Sequence, residues 1–116
     1  MSTPEQASIL NALMEVIAER KRNPTAERSY VVSLLQACLS KIGSKITEEA
    51  AEVVEAGGES GEKGKAHLIR EVADLVFHTM VLLGYHDLPW SAVEAELARR
   101  FGLSGLVEKE SRLTSS

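Results

Sequence analysis

One stretch constrains the fold of this chain more than any other. Between Lys65 and Gly84 the apolar residues Leu68, Ile69, Val72, Leu75, Val76, Phe77, Met80, Val81, Leu82 and Leu83 wrap nearly the whole circumference of a helix. A helix that is apolar on every side has to be covered on every side. The rest of a 116-residue chain offers only a few short helices to do so. The expected fold is therefore all-α: an antiparallel bundle of about four helices, completed by homodimerisation or a higher closed homo-oligomer. Composition agrees, with 44% hydrophobic but only 4% aromatic residues, rich in Ala, Leu, Glu and Val.

The other helices carry ordinary signals. Thr3-Pro4-Glu5-Gln6 reads as a capped helix start, and Ile9, Leu10, Leu13, Met14 and Ile17 give an apolar stripe. That helix fades at Arg20-Lys21-Arg22 before Asn23-Pro24, and residues 23–28 form a polar connection. Ser29 caps a second helical region that runs to about Ala56, weakened at Gly43. Gly57 to Gly64 is a glycine-rich break. Ser91 with Glu94 forms a capping-box pattern for a last helix, and Gly102 ends it. Residues 1–116 make one domain, with 102–116 a partly flexible tail.

Acidic residues interrupt the apolar faces on both sides of the glycine break. On a 3.6-residue helix, Glu49 lies ~20° from Ile42, inside the stripe of Leu35, Leu39, Ile46 and Val53. Glu52 flanks it, with Glu48 further round. On the next helix Glu71 lies ~40° from Leu75, with Asp74 and His78 on the same side. A carboxylate in a buried seam needs a partner. Lys45, four residues before Glu49, offers a salt bridge as the plain structural explanation. Two misplaced acids on consecutive helices that fold back on each other point instead to a cation held between them. Oxygen-only ligands favour Mg²⁺, and Mg²⁺ in a small enzyme usually serves phosphate chemistry.

Other chemistries find less support. The segment Gly58-Glu-Ser-Gly-Glu-Lys-Gly-Lys65 lacks the GxxxxGK[ST] spacing of a phosphate loop, and no strand precedes it. The Glu-x-x-His pairs of a di-iron bundle do not occur. His67 reads as a surface residue and His86 as a turn residue. Cys38 is alone in the chain, so no intrachain disulfide forms, and it reads as core packing in a reducing compartment. A net charge of −4 disfavours nucleic-acid binding. No apolar run reaches membrane-spanning length, and no secretory signal is apparent, so a cytoplasmic location is expected.

The pattern EExxE (Glu48, Glu49, Glu52), a loop, then ExxD (Glu71, Asp74) resembles the signature of the all-α, MazG-like nucleoside-triphosphate pyrophosphatases. Ser29-Tyr30, Lys41-Ile42, Lys45, Glu71-Val72-Ala73-Asp74-Leu75 with His78, and Gly102-Leu-Ser-Gly-Leu106 with Glu108-Lys109 and Ser111-Arg112 resemble the narrower phosphoribosyl-ATP pyrophosphatase family of histidine biosynthesis. The resemblance covers residues 27–112. One departure is Cys38, where the family commonly has glycine. The resemblance implies hydrolysis of phosphoribosyl-ATP to phosphoribosyl-AMP and pyrophosphate with carboxylate-bound Mg²⁺. It further implies Glu49, Glu52, Glu71 and Asp74 as metal ligands, and Glu48 as a further ligand or the group that positions water. Lys41 and Lys45 would hold phosphate oxygens. Tyr30, His78, Lys109 and Arg112 stand behind these as candidates that support the site or touch substrate. A phosphoribosyl-AMP cyclohydrolase is the partner such an enzyme would feed. Two alternatives use the same residues differently: a housekeeping pyrophosphatase for non-standard nucleoside triphosphates, and a non-enzymatic dimerisation module in which Lys41, Lys45 and Arg70 merely pair with the acids.

Overall fold

A computed structural model of the protein describes residues 9–24 and 29–103. Among the described residues there are five helices and no strand: α1 (Ile9–Arg22), α2 (Tyr30–Gln36), α3 (Leu39–Gly57), α4 (Gly61–Tyr85) and α5 (Trp90–Phe101). The helix start expected at Thr3 lies outside the described residues, as does the tail from residue 104. The core is built from Met14 and Ile17 of α1, Val31 and Leu34 of α2, Ile42 of α3, and Met80 and Val81 of α4. No described helix is long and apolar enough to cross a membrane.

Ser29 caps α2 as expected. Its hydroxyl accepts the Val32 N–H at 3.3 Å and receives Arg20 Nη1 at 2.6 Å, which ties the end of α1 to the start of α2. The long helix expected over 29–56 is divided, and the division is not at Gly43. It falls at Ala37 and Cys38, both extended, with ψ of 171° and 157°, and Cys38 is exposed at this break rather than packed in the core as expected. Leu34 before the break and Ile42 after it are both buried, at 1% and 0% exposure.

The turn between α3 and α4 is shorter than the glycine content suggests, because Gly61 and Gly64 belong to α4. Only Gly58, Glu59 and Ser60 connect the two helices. Gly61 has φ of +81°, a conformation that favours glycine. Gly64 is needed for a different reason: a Cβ there would lie 3.0 Å from the carbonyl carbon of Glu59. The turn is therefore folded tightly onto the first turns of α4. A three-residue connection forces α3 and α4 to run antiparallel, and they form the most extensive helix pair of the fold. At the other end of the chain, α5 is entered through Pro89, and Ser91 lies inside the helix, so the Ser91–Glu94 capping box is not used. Gly102, at φ +66°, ends α5 as expected.

The apolar circumference of α4 is only partly covered. Ile69 is 70% exposed and Val72 40%, and Val54 on α3 is 77% exposed.

Candidate metal centre

The antiparallel α3–α4 pair brings together three of the acids singled out by helical spacing. One carboxylate oxygen from each of Glu49, Glu52 and Glu71 lies within 4.8 Å of the others. All three side chains are partly buried. Glu49 Oε2 and Glu71 Oε2 are both out of solvent and have no hydrogen-bond partner among the described residues. Buried carboxylate oxygens without a donor are costly, and a cation among them is the ordinary remedy. The donor set is oxygen only, without thiol or imidazole, which suits Mg²⁺ in kind. The residues present thus fit the expected metal.

The electrostatics point the same way. Glu52 has its pKa raised above the ordinary carboxylate range, chiefly by Glu71. A protonated Glu52 donates a hydrogen bond to Glu71, whereas two ionised carboxylates repel. Glu48 adds a smaller repulsion.

The salt-bridge explanation for Glu49 is not realised. Lys45 Nζ lies 3.6 Å from Glu48 Oε2, on the exposed edge of α3, and makes no ion pair with Glu49. Lys41 is exposed one turn earlier on α3. Neither Lys41 nor Arg70 pairs with an acid among the described residues. Asp74 is exposed and stands outside the three-carboxylate group, although its place three residues after Glu71 keeps it on the same side of α4. Lys109 and Arg112 lie outside the described residues.

His78 is buried, at 5% exposure, and its tautomer follows from its partners. Nδ1–H donates to the Asp74 carbonyl at 2.9 Å, so the unprotonated Nε2 accepts from the Tyr30 hydroxyl at 2.8 Å. Tyr30 also stacks on Phe77, with ring centroids 6.0 Å apart. His78 therefore braces Tyr30 at the start of α2 rather than joining the carboxylates.

His67 is not a free surface residue. Its Nδ1–H donates to Glu59 Oε1 at 2.9 Å, and its Nε2 lies 3.5 Å from Glu71 Oε1. The Glu59 carboxylate, with a smaller contribution from Glu71, holds the His67 pKa above its ordinary value. The signal was present in the sequence, since His67 precedes Glu71 by one helical turn.

Comparison with known proteins agrees with this geometry. Residues 10–101 match the family model described as phosphoribosyl-ATP pyrophosphohydrolase. The chain is 51% identical over 108 residues to the phosphoribosyl-ATP pyrophosphatase of Geobacter metallireducens, covering 93% of this chain and 95% of the relative. It is 53% identical to the enzyme of that name from Geotalea daltonii, over 90% of this chain and 94% of the relative. It is 51% identical to that of Neisseria meningitidis serogroup B, over 93% and 97%. An all-α fold, a carboxylate cluster between two antiparallel helices and these matches across nearly the whole length lead to one conclusion: the chain belongs to the phosphoribosyl-ATP pyrophosphohydrolase family.

Proposed function

We propose that this protein hydrolyses phosphoribosyl-ATP to phosphoribosyl-AMP and pyrophosphate, a step of histidine biosynthesis, at the Glu49–Glu52–Glu71 cluster with Mg²⁺ as its cofactor. The observation that carries the site is that two of the three converging acids, Glu49 and Glu71, each keep a buried carboxylate oxygen without a partner among the described residues. Relatives about half identical in sequence, covered over more than nine-tenths of their length, carry the name of that activity.

Glu49, Glu52 and Glu71 would hold the metal, with Asp74 on the same side of α4 as a further candidate ligand. Mg²⁺ bound there supplies positive charge that neutralises the triphosphate oxygens and polarises the α–β phosphoanhydride. The chain's own groups do the rest. Lys41 and Lys45, one turn apart on the same edge of α3, bind phosphate oxygens as point charges. Glu48, exposed beside the cluster and held by Lys45, orients the attacking water and accepts its proton. The new bond joins the water oxygen to the α-phosphorus; the bond to the β-phosphate oxygen breaks, and pyrophosphate leaves. Tyr30, braced by His78 and Phe77, offers an exposed aromatic ring to the substrate's organic portion.

A second copy of the chain completes the fold in the same proposal. The exposed Val54, Ile69 and Val72 on α3 and α4 support it, since a partner surface would remove them from water. The substrate assignment is tested by comparing kcat/KM for phosphoribosyl-ATP with that for non-standard deoxynucleoside triphosphates. A strong preference for phosphoribosyl-ATP is expected. Equal or greater turnover of the simple triphosphates would replace this assignment with a housekeeping pyrophosphatase.

A further inference from the structure

We infer that His67 is a positioning residue for Glu71, held in place by Glu59 at the α3–α4 turn, and that this three-residue arrangement sets the affinity of the carboxylate cluster for its metal. The inference rests on the metal site proposed above and adds residues that lie outside the acidic signature.

Glu71 has two oxygens with different surroundings. Oε1 faces His67 Nε2 at 3.5 Å, while Oε2 is buried without a partner. With both ring nitrogens protonated, His67 bridges Glu59 and Glu71 Oε1 and holds the Glu71 carboxylate in place beside Glu49 and Glu52. His67 is itself fixed from behind, because Nδ1–H donates to Glu59 Oε1 at 2.9 Å. Glu59 in turn sits on a turn with little freedom. Its backbone packs so closely on Gly64 that a Cβ there would lie 3.0 Å from the Glu59 carbonyl carbon. The chain of support therefore runs from the turn, through Glu59 and His67, to one carboxylate of the cluster. Residues that orient a metal-binding carboxylate commonly contribute 10- to 100-fold in metal affinity. The opposite expectation is also physical. A histidine that merely places positive charge near the site would weaken cation binding, and its removal would strengthen it.

The test is Mn²⁺ binding to the intact protein without nucleotide, measured by calorimetry or by loss of the free-ion electron paramagnetic resonance signal, with melting recorded for each variant. His67→Ala should weaken Mn²⁺ binding about 10- to 100-fold while the metal-free protein still melts as a folded domain. His67→Gln keeps an N–H donor toward Glu71 and should recover most of the loss. Glu59→Ala should weaken binding in the same direction, and the His67→Ala/Glu59→Ala double variant should be no worse than His67→Ala alone, because both act through one path. Unchanged or tighter Mn²⁺ binding in His67→Ala, with Glu71→Gln clearly weakened, overturns the positioning role and leaves the metal site standing. Absence of Mn²⁺ binding in the wild type, with Glu71→Gln indistinguishable from it, overturns the metal site and the positioning role together.

Discussion

Replacing Glu71 by glutamine should stabilise the metal-free protein and weaken the metal-bound one. The three clustered oxygens lie within 4.8 Å of one another. At that separation the Glu49–Glu71 pair alone repels by ~0.9 kcal/mol in a water-like dielectric and ~3.5 kcal/mol at an effective dielectric of about 20. Glu52 repels Glu71 as well, in the same direction. The amide keeps the volume and removes the charge. Against this gain stands the contact with His67 at 3.5 Å, an ion pair at a partly exposed histidine, worth about 0–1 kcal/mol. The net expectation is a gain of about 1–2 kcal/mol, or a melting temperature raised by roughly 4–8 °C in a domain of this size. Mg²⁺ should reverse the order. A ligand at 100 times its dissociation constant stabilises by about 2.7 kcal/mol, and one whose affinity has fallen 100-fold by only about 0.4 kcal/mol. Circular dichroism melts of wild type and Glu71→Gln, in chelator and in excess Mg²⁺, provide the assay. Wild type should melt lower in chelator and higher with metal. If Glu71→Gln melts below wild type in chelator and Mg²⁺ leaves the difference unchanged, Glu71 is a structural ion-pair partner and the repulsion argument is wrong.

Three further outcomes are expected. Because Glu52 has a raised pKa in the folded state, its stabilising contribution is fullest below the unfolded value of 4.5 and is lost as pH rises through the folded value; metal-free melts across that window should show Glu52→Gln and wild type converging at acid pH and the variant pulling ahead toward neutrality. Gly84→Ala places a methyl against Cγ2 of the fully buried Ile17, so overpacking of about 1–3 kcal/mol should exceed the helix-propensity gain of about 1 kcal/mol, and urea unfolding of the double variant with Ile17→Ala should show less than additive loss. Tyr30→Phe leaves His78 Nε2 buried without its donor, which should cost about 1–3 kcal/mol by the same unfolding measurement and move the Nε2 resonance in nitrogen NMR.

Much of this molecule is legible in its sequence, for identifiable reasons. Helical spacing alone placed Glu49 and Glu71 on apolar faces, and the antiparallel pair puts both beside Glu52. Ser29 and Gly102 act as caps because their roles depend on local chemistry: a hydroxyl that accepts an N–H, and a residue that tolerates positive φ. The division at Ala37–Cys38 is not legible, because neither residue is a helix breaker and nothing in the local pattern marks it. Glycine content places Gly61 and Gly64 in the loop, whereas α4 begins at Gly61, in a positive-φ conformation, and Gly64 lies in its first turn, packed against Glu59. The Lys45–Glu49 spacing allowed an ion pair, yet Lys45 pairs with Glu48 on the exposed edge of α3. The role of His67 is not legible as a whole, because Glu59, its second partner, reaches it only through the geometry of the turn.

Pyrophosphate release from phosphoribosyl-ATP, followed with wild type, Glu49→Gln and Glu71→Gln in Mg²⁺ and in excess chelator, tests the central claim most directly. Wild type should turn over with Mg²⁺ and stop in chelator. Each variant should lose on the order of 10²–10³ in rate with Mg²⁺ present, as is common when a charge needed in the transition state is removed. Full turnover in excess chelator, or wild-type rates in both variants, would contradict a metal-dependent site built on these carboxylates.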